Sequence, residues 1–188
     1  PAVVLGLLFN DIIDKFLESP IIVAILLIIG GFVLLKVDDW FKANEVYDEA
    51  NPEAHTKISY ATALKIGFFQ CLAMVPGTSR SGASIIGGMT QKLNRKTAAE
   101  FSFFLAVPTM FGATAKKLFD YYKAGFELSS SQINYLIIGN IVAFVIALIA
   151  IKSFIEYLSM RGFKIFGYYR IILGTGLSPR YEEASKAP

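Results

Sequence analysis

Long apolar runs alternate with polar segments along this chain, and their spacing predicts membrane-spanning helices. A helix needs about 20 apolar residues, with a lower limit near 17, to cross the hydrocarbon core of a bilayer. Four runs reach or approach that length: 20–36, 97–115, 133–151 and 163–173. The longest polar segments between them are a loop at 37–57 and an outer connection at 116–132. The pattern therefore predicts an all-α polytopic membrane protein, a bundle of transmembrane helices.

The segment at about 58–90 has a different pattern from the four runs. Its apolar stretches, 58–75 and 82–89, are short or interrupted, and Pro76-Gly77 lies between them. Irregular backbone at membrane depth is tolerated only where it is buried in protein or faces water. We therefore predict a re-entrant helix-turn-helix that carries the turn Pro-Gly-Thr-Ser-Arg-Ser-Gly. A single kinked span is the alternative, but it would expose the charge of Arg80 to lipid.

Composition favours a membrane protein over a soluble one. The 188 residues are 54% hydrophobic and 18% charged, with a mean hydropathy of +0.52, whereas soluble domains carry about 25% charged residues. The net charge of +3 does not indicate a nucleic-acid partner. The single cysteine, Cys71, excludes a disulfide framework or a zinc site built from cysteines. The single histidine, His55, lies in the polar loop and is expected at the surface.

The two ends of the chain differ from its middle. The chain begins without methionine and is apolar from Ala2 onward, which is typical of the tail of a longer membrane helix. Residues 1–174 are interpreted as one membrane domain, and the polar tail 175–188, native or appended, is expected to be disordered. A weak excess of Lys and Arg, nine against seven, predicts a common cytoplasmic side for three segments: 36–57, 92–96 and 152–164.

The nonapeptide 76–84 carries the candidate chemistry. It combines Arg80 with four hydroxyl side chains in a glycine-containing turn between apolar stretches. An arginine at the bilayer centre costs about 2.5–3.5 kcal/mol on insertion scales, so a chain that keeps one there commonly uses it to hold an anion. If a helix begins near Ser81 or Gly82, its free N–H groups point into the same turn and add to an anion site.

The residue types in the turn suit a phosphate or a diphosphate. Gly77 and Gly82 let the backbone approach a ligand closely, and Arg80 offers a planar fork for two phosphate oxygens. Hydroxyl donors come from Thr78, Ser79, Ser81 and Ser84. Such donors would stabilise the negative charge that develops on phosphate oxygens during phosphoryl transfer.

Two structural interpretations compete with anion binding. Small and hydroxyl residues also allow transmembrane helices to pack closely, although this leaves Arg80 unexplained. Arg80 could instead form an ion pair with Glu100, which could also orient the guanidinium or only favour its own helix dipole. Gln70 could cap the turn, reach the ligand or form an ordinary interhelical hydrogen bond.

At this motif the chain resembles the undecaprenyl-diphosphatase family, the bacterial bacitracin-resistance enzymes. The family motif is proline-glycine-x-serine-arginine-serine followed by a threonine, and residues 76–81 match it with Ser84 at the threonine position. The flanking segments 67–73 and 99–108 also match. The resemblance extends from Pro1 to about Gly174.

The resemblance implies a fold and an activity. Members are helical membrane proteins built from two inverted repeats, each with a re-entrant helix pair, in the bacterial cytoplasmic membrane with the site open to the outer face. They hydrolyse undecaprenyl diphosphate to the monophosphate and inorganic phosphate, which recycles the lipid carrier of cell-wall synthesis. The resemblance implies catalytic roles for Arg80, Ser79 and Ser81, with Mg²⁺ or Ca²⁺ as a suspected cofactor.

The resemblance also implies a missing part. The glutamate-rich motif of the family and its serine and histidine would lie before Pro1, so the printed chain is expected to be inactive alone. No cluster in this chain suggests a metal site. The lipid tail is expected between helices, and the candidates to line its groove are Phe101, Phe103, Phe104 and Phe111.

A transporter is the rival function. Re-entrant helix N-termini also build anion pathways, so an anion channel or a polyprenyl-phosphate flippase would use the same arginine. A scaffold of packed helices is a third class, and it predicts that Arg80→Ala affects folding alone. The expected partners are a polyprenyl diphosphate lipid and the membrane. The oligomeric state does not follow from the sequence, and a homodimer is one of the arrangements that it allows.

Overall fold

The computed structural model describes residues 1–8, 20–44, 58–125 and 129–185, and within these ranges the secondary structure is helical with no strand. Seven α-helices occur in the described ranges: α1 Ala2–Leu8, α2 Pro20–Trp40, α3 Tyr60–Cys71, α4 Arg80–Thr90, α5 Arg95–Lys123, α6 Ser130–Arg161 and α7 Lys164–Ser185. A short 3₁₀ helix, Leu72–Met74, follows α3. The predicted all-α architecture is confirmed.

Three helices are long and apolar enough to cross a membrane: Ile21–Asn44, Arg95–Lys123 and Ser130–Arg161. These helices confirm a multi-pass membrane protein. Each is longer than the apolar run that predicted it, because a helix continues beyond the hydrocarbon core, whereas the run ends at the first charges.

Two boundaries differ from the sequence prediction for this reason. The helix α5 begins at Arg95, two residues before the predicted run 97–115, with Asn94 as its N-cap, and Asn94 Oδ1 accepts a hydrogen bond from Thr97 N at 2.7 Å. Asparagine is among the most favoured N-cap residues. The backbone of α7 continues to Ser185, through most of the tail that was expected to be disordered.

The helices α2 and α7 pack antiparallel through small residues. A Cβ at Gly31 would lie 2.9 Å from the carbonyl oxygen of Gly167, and one at Gly174 would lie 2.8 Å from that of Ala24. Residue numbers fall along α2 as they rise along α7, which defines the antiparallel direction. Small residues let two backbones approach this closely, as in many membrane helix pairs.

Replacing Gly167 with leucine is expected to separate this pair. Its Cβ would lie 2.8 Å from Leu35 Cδ2 and 2.9 Å from the backbone oxygen of Gly31, and the backbone cannot yield. Overpacking typically costs about 1–3 kcal/mol, so the thermal unfolding midpoint in detergent should fall by several degrees. Gly176→Leu on the same helix is the control, since nothing lies within 4 Å of a Cβ there. Equal midpoints for the two variants would contradict the close approach.

The helices α3 and α4 form the predicted helix-turn-helix, and α4 packs on α5. A Cβ at Gly87 would overlap Phe69 of α3, and one at Gly88 would lie 2.9 Å from Ala98 Cβ of α5. Glycines on α4 therefore set both of its close contacts. The largest side chains buried in the core are Ile66, Ile85, Met89, Leu158 and Val37.

The predicted loop at 37–57 begins later than expected, because Val37 is buried and Asp38 lies within α2. Asp38 Oδ2 accepts a hydrogen bond from Phe163 N at 2.8 Å, and Arg95 Nη1 lies 3.4 Å from Asp38 Oδ1. Asn44 Nδ2 donates to the carbonyl oxygen of Leu93 at 3.0 Å. These bonds bring the described parts of three predicted cytoplasmic segments to the same end of the helices.

Replacing Asp38 with alanine is expected to destabilise this end of the bundle. The change leaves Phe163 N without its acceptor and removes the ion pair with Arg95, and an unpaired buried donor costs about 1–3 kcal/mol. The unfolding midpoint should fall by several degrees. The adjacent Asp39 is exposed, so Asp39→Ala should change the midpoint little. A similar loss in both variants would show that the bonds of Asp38 to Phe163 and Arg95 do not stabilise the fold.

Candidate phosphate-binding site

A tight turn connects the 3₁₀ helix to α4. Thr78 N donates to the carbonyl oxygen of Val75 at 3.1 Å, with Pro76 and Gly77 at the two central positions. Gly77 has φ +78°, the conformation that a type II turn requires at its third residue. A Cβ at this position would also lie 2.8 Å from the carbonyl oxygen of Val23. The turn therefore presses against α2, within the length of a candidate span.

The turn leads directly into the N-terminus of α4, which a serine caps. Ser79 is the N-cap of α4, and its Oγ accepts a hydrogen bond from Gly82 N at 3.1 Å. The Oγ atoms of Ser79 and Ser81 are 3.3 Å apart. The first bond within the helix runs from Ala83 N to the carbonyl oxygen of Ser79, so the N–H groups of Arg80 and Ser81 have no helical acceptor. Such groups at a helix N-terminus form a ready anion site.

Arg80 points toward α5. Its Nη2 donates to Thr109 Oγ1 at 2.6 Å, and the Thr109 hydroxyl lies 2.9 Å from the carbonyl oxygens of Leu105 and Ala106. In the described part of the chain, no carboxylate lies within 4.0 Å of the guanidinium. A neutral hydroxyl therefore positions Arg80, and the positive charge remains uncompensated.

A second arginine, Arg170 of α7, reaches the turn from the opposite side. Its Nη2 donates to the carbonyl oxygen of Gly77, and its Nε is buried with no hydrogen-bond partner among the described atoms. Gly30, at the middle of α2, leaves the space for this guanidinium, since a Cβ there would lie 2.7 Å from Nη2. An ionisable residue at such depth is a functional candidate.

Two cavities open beside the start of α4. We call the first the aromatic cavity, about 200 Å³, whose aromatic lining is Phe154, Phe163, Phe166 and Tyr169. The second, the aliphatic groove, has about 240 Å³ and lies between α2, α3 and α4. Both share Leu34, Ser79, Gly82 and Arg170 as lining residues, and Ser81 lines the aromatic cavity. Arg80 lines neither of these two cavities, because it faces α5.

The structure brings some predicted site residues together and places others in the helix packing. Thr78 lines the aliphatic groove beside Ser79 and Gly82. Ser84 is 3% exposed, and its Oγ lies 2.6 Å from Ser102 Oγ, so it joins α4 to α5. Its buried position removes it from contact with a ligand in either cavity.

Neither of the two residues predicted to support the site, Gln70 and Glu100, is bonded to the Arg80 side chain among the described residues. Gln70 is 7% exposed within α3, and among the described residues no hydrogen bond joins its side chain to the turn. Glu100 precedes Thr109 by nine residues of α5, about 13–14 Å along a helix axis. The alternative in which Glu100 pairs with Arg80 is therefore wrong for this structure.

The four phenylalanines proposed to line a lipid groove lie outside the lining of the two cavities. Phe101 packs against the core, and Phe103 contacts Phe154 edge-on with 5.8 Å between ring centroids. Phe104 and Phe111 are each 75% exposed. None of the four lines either cavity.

Sequence reasoning missed Arg170 and Thr109. Arg170 lies within the predicted apolar run 163–173, and no role in the site was predicted for it. Since α7 continues to Ser185, Arg170 lies within a helix at the level of Gly30. The signal that identified Arg80, an arginine among apolar residues, was present at Arg170 too.

The described residues do not fit a divalent cation. No group of three or more His, Cys, Asp or Glu side chains comes together within the described ranges, and His55 lies outside them. The suspected Mg²⁺ or Ca²⁺ stays a prediction from the resemblance, and no step below depends on it.

Comparison with known proteins identifies the family. The family model described as "Bacitracin resistance protein BacA" matches residues 1–176. The chain belongs to the BacA family. The match includes both arginines and the whole of the turn, so the site described above lies within the BacA region.

Curated relatives of this BacA chain are named undecaprenyl-diphosphatase. One from Flavobacterium johnsoniae is 66% identical over 177 residues, which cover 93% of this chain and 64% of the relative. One from Flavobacterium psychrophilum is 65% identical, covering 93% and 63%. One from Porphyromonas gingivalis is 51% identical, covering 93% and 60%. The chain thus spans about three fifths of the length of the relatives that it matches.

Proposed function

We propose that this chain binds the diphosphate of undecaprenyl diphosphate at the start of α4, as part of a phosphatase that releases the terminal phosphate. The observation that carries the proposal is the pair of guanidinium groups on opposite sides of one helix N-terminus. The names of the curated relatives support the substrate. Recycling of the lipid carrier for cell-wall synthesis would be the biological role.

The proposed binding mode uses three kinds of donor. The free N–H groups of Arg80 and Ser81 and the hydroxyls of Ser79 and Ser81 would contact the phosphate oxygens. Arg80 and Arg170 would supply charge from the α5 side and the α2 side. Two guanidinium groups suit a diphosphate, since each can hold two oxygens in a planar fork.

During the reaction the P–O–P bridge would break, and water oxygen would form the new bond to the terminal phosphorus. Negative charge increases on the leaving lipid phosphate and spreads over the equatorial oxygens of the transferred group. Donors fixed at the start of α4 would stabilise that charge without reorganising. The products would be undecaprenyl phosphate and inorganic phosphate.

The serines of the turn are assigned to binding and not to attack. Neither Ser79 nor Ser81 has a carboxylate or imidazole partner among the described residues, and a serine nucleophile needs such a base. We therefore expect the 188-residue chain alone to release little phosphate. Robust turnover by the isolated chain would refute this assignment.

One assay distinguishes a phosphatase from the rival function, an anion channel or a flippase. The protein expressed from its native gene, in detergent, is incubated with undecaprenyl diphosphate, and inorganic phosphate is measured. A phosphatase releases phosphate stoichiometrically with substrate loss. A channel or flippase that uses the same arginine releases none, and that result would refute the proposal.

We infer a location in the bacterial cytoplasmic membrane with the turn toward the outer face. The basic segments meet at the Asp38 end of the helices, and the turn lies toward the Pro20 end of α2 beside Val23. An excess of Lys and Arg marks the cytoplasmic side. A homodimer stays one of the arrangements that the sequence allows.

A further inference from the structure

The helices α4 and α5 meet in three layers of side chains. From the end of α4 to its start, the layers are Gly88 against Ala98, Ser84 against Ser102 and Arg80 against Thr109. The three α4 residues are spaced four apart, and a helix places residues at that spacing on the same face. Residue numbers fall along α4 as they rise along α5, so the two helices are antiparallel.

The first two layers fix the register of the two helices. A Cβ at Gly88 would lie 2.9 Å from Ala98 Cβ, and Ser84 Oγ lies 2.6 Å from Ser102 Oγ. Sliding one helix along the other would break the hydroxyl pair and bring larger side chains against the close contact. The position of Thr109 relative to the start of α4 is therefore set by packing, before any ligand binds.

The third layer spans more of α5 than of α4. Ser102 and Thr109 are seven residues apart, about 10–11 Å along a helix axis, whereas the four residues from Ser84 back to Arg80 correspond to about 6 Å. The arginine side chain covers the difference of about 4–5 Å, because helical side chains lean toward the N-terminus of their own helix. The guanidinium therefore lies beyond the start of α4, in the direction in which the free N–H groups of Arg80 and Ser81 point.

The chemistry of the two groups fixes the direction of the bond between them. A guanidinium can only donate, and a hydroxyl has one proton. The Thr109 proton therefore goes to the carbonyl oxygen of Leu105 or Ala106, at 2.9 Å each, while a lone pair accepts from Arg80 Nη2 at 2.6 Å. The bond uses one of the five N–H donors of a guanidinium. Within the described ranges no other residue accepts from this guanidinium, so one edge with two parallel donors stays free for phosphate oxygens.

We propose that Thr109 is a positioning residue of the phosphatase reaction, which holds the Arg80 guanidinium where charge develops on the transferred phosphoryl group. This inference rests on the proposed function and adds a residue that acts through Arg80. A carboxylate in the same place would also hold the guanidinium, but it would neutralise the charge that the phosphate needs. A threonine hydroxyl inside a helix commonly bonds back to the preceding turn, so the bond from Arg80 is what distinguishes Thr109.

Replacing Thr109 with valine should lower kcat and leave KM nearly unchanged. Valine keeps the shape of threonine without its hydroxyl, so Arg80 loses its fixed position, and a displacement of about 1 Å can cost about 100-fold in rate. In the protein expressed from its native gene, we expect kcat for undecaprenyl diphosphate to fall about 10- to 100-fold and KM to change less than about threefold, since Arg80 acts on charge that appears in the transition state. Thr109→Ser restores the hydroxyl and should recover most of the kcat.

Thr175→Val is the matched control. The Thr175 hydroxyl bonds back to the carbonyl oxygens of Ile171 and Ile172 at 2.9 and 3.0 Å, but in the described part of the chain no arginine donates to it, so its loss should leave kcat unchanged. A double-mutant cycle tests whether Thr109 acts through Arg80. In the Arg80→Ala background, Thr109→Val should lower the remaining rate less than about twofold.

The outcomes separate this inference from the function on which it rests. The positioning role is overturned, with the phosphatase intact, if Thr109→Val keeps full kcat, if Thr109→Ser does not recover it, or if valine costs the same factor with and without Arg80. A loss of kcat that a lower thermal unfolding midpoint accounts for would make Thr109 structural and overturn the inference as well. If the unmodified protein releases no phosphate from undecaprenyl diphosphate, the proposed function itself fails.

Discussion

Arg80→Ala is expected to reduce phosphate release from undecaprenyl diphosphate by about 1,000-fold or more, with the protein still folded. Arginines that stabilise a transferring phosphoryl group are worth about 10³–10⁵ in kcat. Arg80 starts the helix whose free N–H groups face the proposed ligand, and the only hydrogen-bond partner of its guanidinium among the described residues is the neutral Thr109 hydroxyl. Steady-state phosphate release at saturating substrate measures the effect.

Two further variants test what Arg80 contributes. Arg80→Lys keeps the charge but loses the planar fork, so its rate should lie between those of the alanine variant and the unmodified protein. Arg95→Lys, at the start of α5 and ion-paired with Asp38, is the matched control and should keep most of the activity. An alanine variant that unfolds at a lower temperature yet retains full kcat would favour a purely structural role.

Arg170→Gln is expected to raise KM for undecaprenyl diphosphate at least about tenfold while leaving the fold intact. Glutamine fills part of the same space but carries no charge for a phosphate, and it is too short to replace the Nη2 donor to the Gly77 carbonyl oxygen. Hydrogen bonds to charged groups contribute about 1.5–3 kcal/mol, which corresponds to a factor of about ten or more. KM and the thermal midpoint are measured on the same preparation.

The two possible roles of Arg170 give different patterns. If Arg170 only braces the turn through Gly77, KM should rise in Arg170→Gln and Arg170→Ala only as far as the fall in the thermal midpoint accounts for. If Arg170 binds the anion, KM should rise in both variants by more than the change in midpoint explains. Arg161→Gln, at the exposed end of α6, is the control for removing one positive charge, and it should change neither quantity.

The membrane-spanning helices could be predicted from the sequence because the length and hydropathy of an apolar run identify such a helix. The helix-turn-helix of α3 and α4 was predicted from two short apolar stretches and the Pro76-Gly77 pair, and the positive φ of Gly77 shows why that pair is there. The helix ends were less accessible to prediction. Asp38 belongs to α2 because it accepts a bond from Phe163 N, a residue 125 positions away that no local pattern can indicate.

Only the part of the site that depends on local sequence was predicted. Ser79, Ser81 and Gly82 were found from local turn chemistry, which fixes the cap and the free N–H groups. Ser84 had the right residue type, but the helix turns its hydroxyl toward Ser102. Arg170 joins the site through the packing of α7 on α2, which depends on Gly30 and on the small residues beside it. The sequence shows an arginine among apolar residues at this position, but it does not show that the guanidinium reaches the turn, because that contact depends on tertiary packing.

Binding of a diphosphate ligand without turnover tests the central claim most directly. A methylene-bridged, non-hydrolysable analogue of farnesyl diphosphate is titrated calorimetrically into the protein expressed from its native gene. The Arg80→Ala/Arg170→Gln double variant should bind it at least about 50-fold more weakly than the unmodified protein, with the Arg95→Lys control unchanged. The same Kd for the double variant and the unmodified protein would contradict a diphosphate site at the start of α4.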